Sequence, residues 1–124
     1  MIRVEIESPF AGDVETNIKY ARACVADSLK RGEAPYASHL FYTQEGILDD
    51  TVPEERKLGM EAGKVWSMMA EKSVVYTDRG MSGGMKWGIE EAKKAGRIVE
   101  YRHLGGKWAT EAGSPYRKLA RQML

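Results

Sequence analysis

The hydrophobic positions of this chain change period several times along its 124 residues. At the N-terminus Ile2, Val4 and Ile6 alternate with charged residues, which predicts a strand with one buried face. The turn Ser8-Pro9-Phe10-Ala11-Gly12-Asp13 follows, with Asp13 placed to cap a helix. Val14, Ile18, Ala21, Val25 and Leu29 then recur at steps of three and four, an amphipathic helix that closes near Gly32. Residues 34–40 read as a short second strand in spite of Pro35, and residues 39–50 as a loop. Thr51-Val52-Pro53-Glu54 has capping-box spacing with a proline in the first turn. The helix it opens carries Leu58, Ala62, Val65, Trp66 and Met69 on its expected buried face. Residues 73–76 form a short β-branched strand suited to the centre of a sheet. Met85, Ile89, Ala92 and Ala95 make the buried stripe of a third long helix, and residues 97–101 the fourth strand.

Strands alternating with helices predict an α/β domain over residues 1–104, with a mostly parallel sheet of about four to five strands and helices on both faces. After Leu104 the pattern breaks. Gly105-Gly106-Lys107-Trp108 is irregular, and Ser114-Pro115 opens a short helix carrying Tyr116, Leu119, Ala120 and Met123. This tail, residues 105–124, packs either on its own domain or across a subunit interface.

The chain is long enough for one core and too short for two. A net charge of +1 with interspersed signs gives no footprint for nucleic acid. No apolar run reaches a membrane span, and the polar N-terminal strand does not read as a signal peptide. With Cys24 as the single cysteine, a disulfide within the chain is impossible, and a cytosolic protein with reduced thiols is the expectation. No His/Asp/Glu cluster has metal-ligand spacing, so neither a metal nor another cofactor is implied.

In an open parallel sheet, ligands bind beyond the carboxyl ends of the strands. Three polar loops converge there. In the third, Ser82, Gly83 and Gly84 stand at a helix start, followed by Met85, where free N–H groups and the helix dipole favour an anion. Arg79 adds charge and Asp78 can accept from a sugar hydroxyl, although Ser82 as a simple cap with turn-shaping glycines explains the same residues equally well. The run is neither a Walker A loop nor GxGxxG. In the first loop Ser8, Pro9, Phe10 and Gly12 allow close backbone approach and a stacking ring, or else a tight turn with Phe10 in the core. In the second loop His39 can meet a phosphate, a base edge or a proton, against the commoner structural role of a lone histidine. Asp50 precedes the second long helix, and Arg56, one turn in, can reach the same mouth.

The runs SPFAGDVETNIKYARA, HLFYTQ…LDD…PEERKLG and DRGMSGGMKWGIEEAKKAG together resemble the nucleoside 2-deoxyribosyltransferase-like superfamily, in particular small phage and bacterial proteins of that group. The resemblance spans about residues 1–102. It implies a flavodoxin- or Rossmann-like sheet that binds a nucleoside or nucleotide over its strand ends. In catalytic members a glutamate in the helix after the S-x-G turn attacks the anomeric carbon. Aligned on Ser82-Gly83-Gly84, that position is Gly88, which cannot act as a nucleophile. Glu91 lies near the same face, while Glu90 is expected to face solvent; Glu91, Glu61 and Asp50 are the substitute carboxylates to consider. Three readings follow. The first is a protein that binds a nucleotide or ADP-ribose-like ligand without turnover, as a homo-oligomer that closes the pocket; by extension from the phage relatives, it would sequester a nucleotide immune signal. The second is an N-glycosidase or deoxyribosyltransferase, and the third an interaction module with a vestigial pocket.

Overall fold

In this computed structural model, which describes residues 1–109, four parallel strands form one sheet. The strands are β1 (Arg3–Glu7), β2 (Ala34–Tyr36), β3 (Lys72–Tyr76) and β4 (Ile98–Arg102), in the order β2-β1-β3-β4. The helices are α1 (Val14–Lys30), α2 (Ser38–Phe41), α3 (Pro53–Ser67) and α4 (Gly83–Lys94). This is the single α/β domain that the alternation predicts, with a flavodoxin-like order. The chain leaves β1 toward β2 and later returns past it to β3. The loops after β1 and β3 therefore diverge, which opens a crevice at their carboxyl ends.

Strand residues alternate between two covered faces. Val4, Ile6, Val74 and Tyr76 pack against Tyr20 and Cys24 of α1. On the opposite face Val75 packs against Met85 and Ile89 of α4, with Val99 beside them. Asp13 caps α1 by accepting from the Thr16 N–H, and Ser82 caps α4 by accepting from the Met85 N–H. At the α1 face Trp108 meets Tyr20 edge-on, with ring centroids 4.9 Å apart. The expected terminal helix lies outside the described residues.

Several local expectations are corrected. The second strand stops at Tyr36, and the expected 39–50 loop begins as a single helical turn, α2. The capping box at Thr51 does not form. Thr51 turns back to Asp49 Oδ1 through both its N–H and its hydroxyl, so α3 starts at Pro53 without a side-chain cap. Ala95 is the exposed C-cap of α4, not part of its buried stripe.

The largest correction concerns α3. Leu58, Val65, Trp66 and Met69 are 56–66% exposed, and the helix instead buries Gly63 and Ser67. Small residues on the inner face let α3 approach α2 closely. A Cβ at Gly63 would lie 2.7 Å from Ser38 Oγ and 2.8 Å from Ser38 Cβ. Close approach of backbones outweighs apolar area on this helix, and the large side chains are left outside. Gly63→Ala is therefore expected to destabilise the domain by about 1–3 kcal/mol, read as a lowered midpoint in denaturant titration. An unchanged midpoint would mean that α2 and α3 are not held by this contact.

Candidate functional site

The crevice continues as a cleft between α3 and α4, and its floor is β1. The even residues of β1 face α1, so the odd ones, Glu5 and Glu7, turn into the cleft. Glu5 is only 5% exposed, and its Oε2 has no hydrogen-bond partner. Glu7 stands against α4 at the residue with no side chain. A Cβ on Gly88 would lie 2.2 Å from Glu7 Oε1 and 2.7 Å from its carboxyl carbon. Among the described residues Glu7 makes no hydrogen bond or ion pair, so its carboxyl group is open to the cleft.

Both carboxyls sit where charge is costly. Desolvation pushes Glu7 up to about 8, with the Arg97 guanidinium pulling the other way. Desolvation also raises Glu5 well above the usual carboxylate range, and the neighbouring Glu7 raises it further. Arg97 does not pair directly with either; its Nε donates to Ser73 Oγ at 2.9 Å.

The mouth of the cleft is built for an anion or a set of hydroxyls. The α4 N-terminus presents Ser82, Gly83 and Gly84 to it. Arg56 reaches across from α3, its Nη2 3.4 Å from where a Gly84 Cβ would stand, while its Nη1 pairs with Asp50 at 2.8 Å. A guanidinium beside unpaired helix N–H groups favours negative charge. Opposite them Ser8 Oγ and His39 Nε2 share a hydrogen bond of 2.7 Å. Desolvation lowers His39 to about 4, so its imidazole is neutral at pH 7. At the inner end Lys64 of α3 and Glu91 of α4 form an ion pair of 2.6 Å that spans the cleft.

The cleft thus brings together Ser8, Phe10, His39, Asp50, Arg56, Ser82, Gly83, Gly84 and Met85 of the residues singled out in the sequence. Four others lie elsewhere. Pro9 is buried outside the lining. Gly12, at φ +99°, turns the chain into α1. Asp78 faces α1: it accepts from the Tyr20 hydroxyl at 2.6 Å and from the Leu104 and Gly105 N–H groups. Arg79 donates to Asn17 Oδ1 at 2.8 Å and lies over the Trp108 ring. This pair anchors the start of the C-terminal segment. Glu91 lines the cleft, but Lys64 and Lys94 occupy its carboxylate and hold its pKa down. Glu61 is exposed beside Lys57 and outside the cleft.

Sequence reasoning missed Glu5, Glu7, Lys64 and Arg97. For Glu5 and Glu7 a signal was present in β1: central strands of a parallel sheet carry near-continuous apolar residues, and this one carries glutamates at alternate positions. Among the described residues no group of acidic, histidine or cysteine side chains could hold a metal ion. None of their helices is long and apolar enough to cross a membrane.

Residues 2–102 match the family described as a domain of unknown function, DUF7768. No curated protein matches the chain. Among solved structures, the 2-deoxyribosyltransferase of the psychrotolerant bacterium Bacillus psychrosaccharolyticus is similar, with a TM-score of 0.64 and 14% identity over 84% of this chain and 74% of that one. At that identity the likeness shows the fold.

The unpartnered carboxyl at position 7 sets a pH dependence. The native state holds this proton up to about pH 8, whereas an unfolded glutamate releases it near 4.5. The native state therefore binds more protons between these values, and stability falls as pH rises through them. Glu7→Gln is expected to leave the melting temperature unchanged at pH 4 and to raise it by a few degrees over wild type at pH 8.5. A shift of equal size at both pH values would show that Glu7 is not desolvated.

Proposed function

The chain belongs to the DUF7768 family, and we propose that its cleft binds a nucleoside or nucleotide and breaks the N-glycosidic bond, with Glu7 as nucleophile. The observation that carries this reading is the carboxyl of Glu7 filling the side-chain space beside Gly88. The resemblance places an attacking carboxylate on the helix at that position. Here the helix supplies an absence, and the strand beneath supplies a carboxyl to the same place. The similarity of fold to a deoxyribosyltransferase supports the class of ligand.

The proposed step needs little else. With the sugar at Glu7, one carboxylate oxygen forms a bond to the anomeric carbon. The bond from that carbon to the base nitrogen breaks, and its electron pair leaves with the base, which takes up a proton. Water or an acceptor base then displaces Glu7 and restores the carboxylate. The α4 N-terminus and Arg56 are suited to a phosphate or sugar-oxygen end of the ligand, and the Ser8–His39 pair to its hydroxyls.

The absence of a helix nucleophile at Gly88 favours a second reading, binding without turnover. Chromatography of nucleosides and nucleotides after incubation with the protein separates the two. Cleavage predicts free base, and binding alone predicts intact ligand. On the cleavage reading, Glu7→Gln lowers product formation by at least about a thousandfold with binding retained. Gly88→Ala, whose Cβ needs the space of Glu7 Oε1, does the same from the opposite wall. Because attack requires the ionised carboxyl, the rate rises with pH and levels off above about 8. Full activity in Glu7→Gln would remove Glu7 from the chemistry.

A further inference from the structure

Beyond Glu7 the cleft continues inward to a second acidic group for which the reaction just described has no use. Glu5 lines the cleft and is 5% exposed, and its Oε2 has no partner. An orphaned carboxyl oxygen buried at the end of a cleft is costly unless a ligand completes it.

Spacing along the walls indicates which part of a ligand arrives there. From Gly84 at the anion-favouring mouth to Gly88 is four residues of helix, about 6 Å. From Glu7, against Gly88, to Glu5 is two residues of strand, about 7 Å. Both run inward from the carboxyl edge of the sheet. An anion site, a carboxyl at the sugar and a polar inner end therefore follow one another in steps that match the phosphate, sugar and base of a nucleotide. This assignment rests on the nucleoside reading above.

We propose that the inner end of the cleft is a subsite for the heterocyclic base, and that Glu5 recognises an edge carrying a ring nitrogen next to an amino group. Desolvation and the neighbouring Glu7 favour the neutral carboxyl of Glu5, with the Arg97 guanidinium pulling the other way. A neutral carboxyl offers one donor and one acceptor, the same pattern as a glutamine amide. That pattern pairs with the amino and ring-nitrogen edge of adenine or cytosine, as an amide does with adenine. It mismatches hypoxanthine and uracil, which present a carbonyl and an N–H in those places.

The test is equilibrium binding of carbocyclic adenosine and of its analogue lacking the amino group to the full chain. Neither has a glycosidic bond to cleave, so binding is read independently of turnover. Wild type is expected to prefer the amino-bearing ligand by about ten- to a hundredfold. Glu5→Gln is expected to keep most of that preference, and Glu5→Leu to erase it while binding the amino-less analogue as before. Exchanging an orphaned carboxyl for an apolar group leaves folding intact, which thermal melting checks; Glu5→Asp, with the carboxyl withdrawn by one methylene, gives a weakened preference as a further readout. A preference that survives in Glu5→Leu, or none in wild type, overturns the inference. Failure of both ligands to bind overturns it together with the nucleoside reading. A preference that depends on Glu5 without cleavage of natural nucleosides overturns the cleavage reading alone.

Discussion

The structure turns on an absent side chain. Gly88 carries no Cβ, and the carboxyl of Glu7 stands where one would be. A glycine within a helix costs about 1 kcal/mol relative to alanine, and an unpaired carboxyl between a helix and a sheet costs more. Neither is explained by packing, because an alanine facing a valine would fill the same space with apolar contact. The two departures make sense together: the helix gives up a side chain so that the strand can present a carboxyl to the cleft.

The rest of the α3–α4 face keeps that cleft open. In most domains of this kind two helices on one face of a sheet close over it with large apolar side chains. Here α3 turns its small residues inward, leans on α2 through Gly63, and leaves Trp66 and Val65 in solvent. Its contact with α4 is polar, through the ion pair of Lys64 and Glu91. The buried carboxyls on β1 are accommodated because the helices above them stand apart. On the other face α1 packs conventionally on Val4, Ile6, Val74 and Tyr76. The apolar core and the cleft are thus divided between the two sides of one sheet.

That division explains what the sequence made legible. The strands, the parallel α/β class and the caps at Asp13 and Ser82 were readable because they depend on local periodicity and local hydrogen bonds. Nine candidate residues around the strand ends were readable because topology alone brings those loops together. The orientation of α3 was not. Its largest apolar residues suggest one face, and the close approach of glycine to α2 selects another, a preference visible only once the partner helix is in place. That Asp78 and Arg79 point away from the cleft was not legible, because their partners, Tyr20 and Asn17, lie 58 and 62 residues away. Glu5 and Glu7 fall on the polar side of a strand read as having one buried face, but β1 is flanked by β2 and β3 with helices over both its faces. The position of a strand in the sheet decides whether its charged face is a surface or a site.

The most direct test of the account is covalent trapping. The protein would be incubated with a 2-fluoro-arabinosyl nucleoside, whose fluorine slows breakdown of a glycosyl ester, quenched in acid, digested and mapped by mass spectrometry. The account predicts a sugar-sized mass increase on the peptide that contains Glu7, absent in Glu7→Gln. The same adduct on Glu91 or Asp50, or unlabelled protein that releases free base, would contradict it.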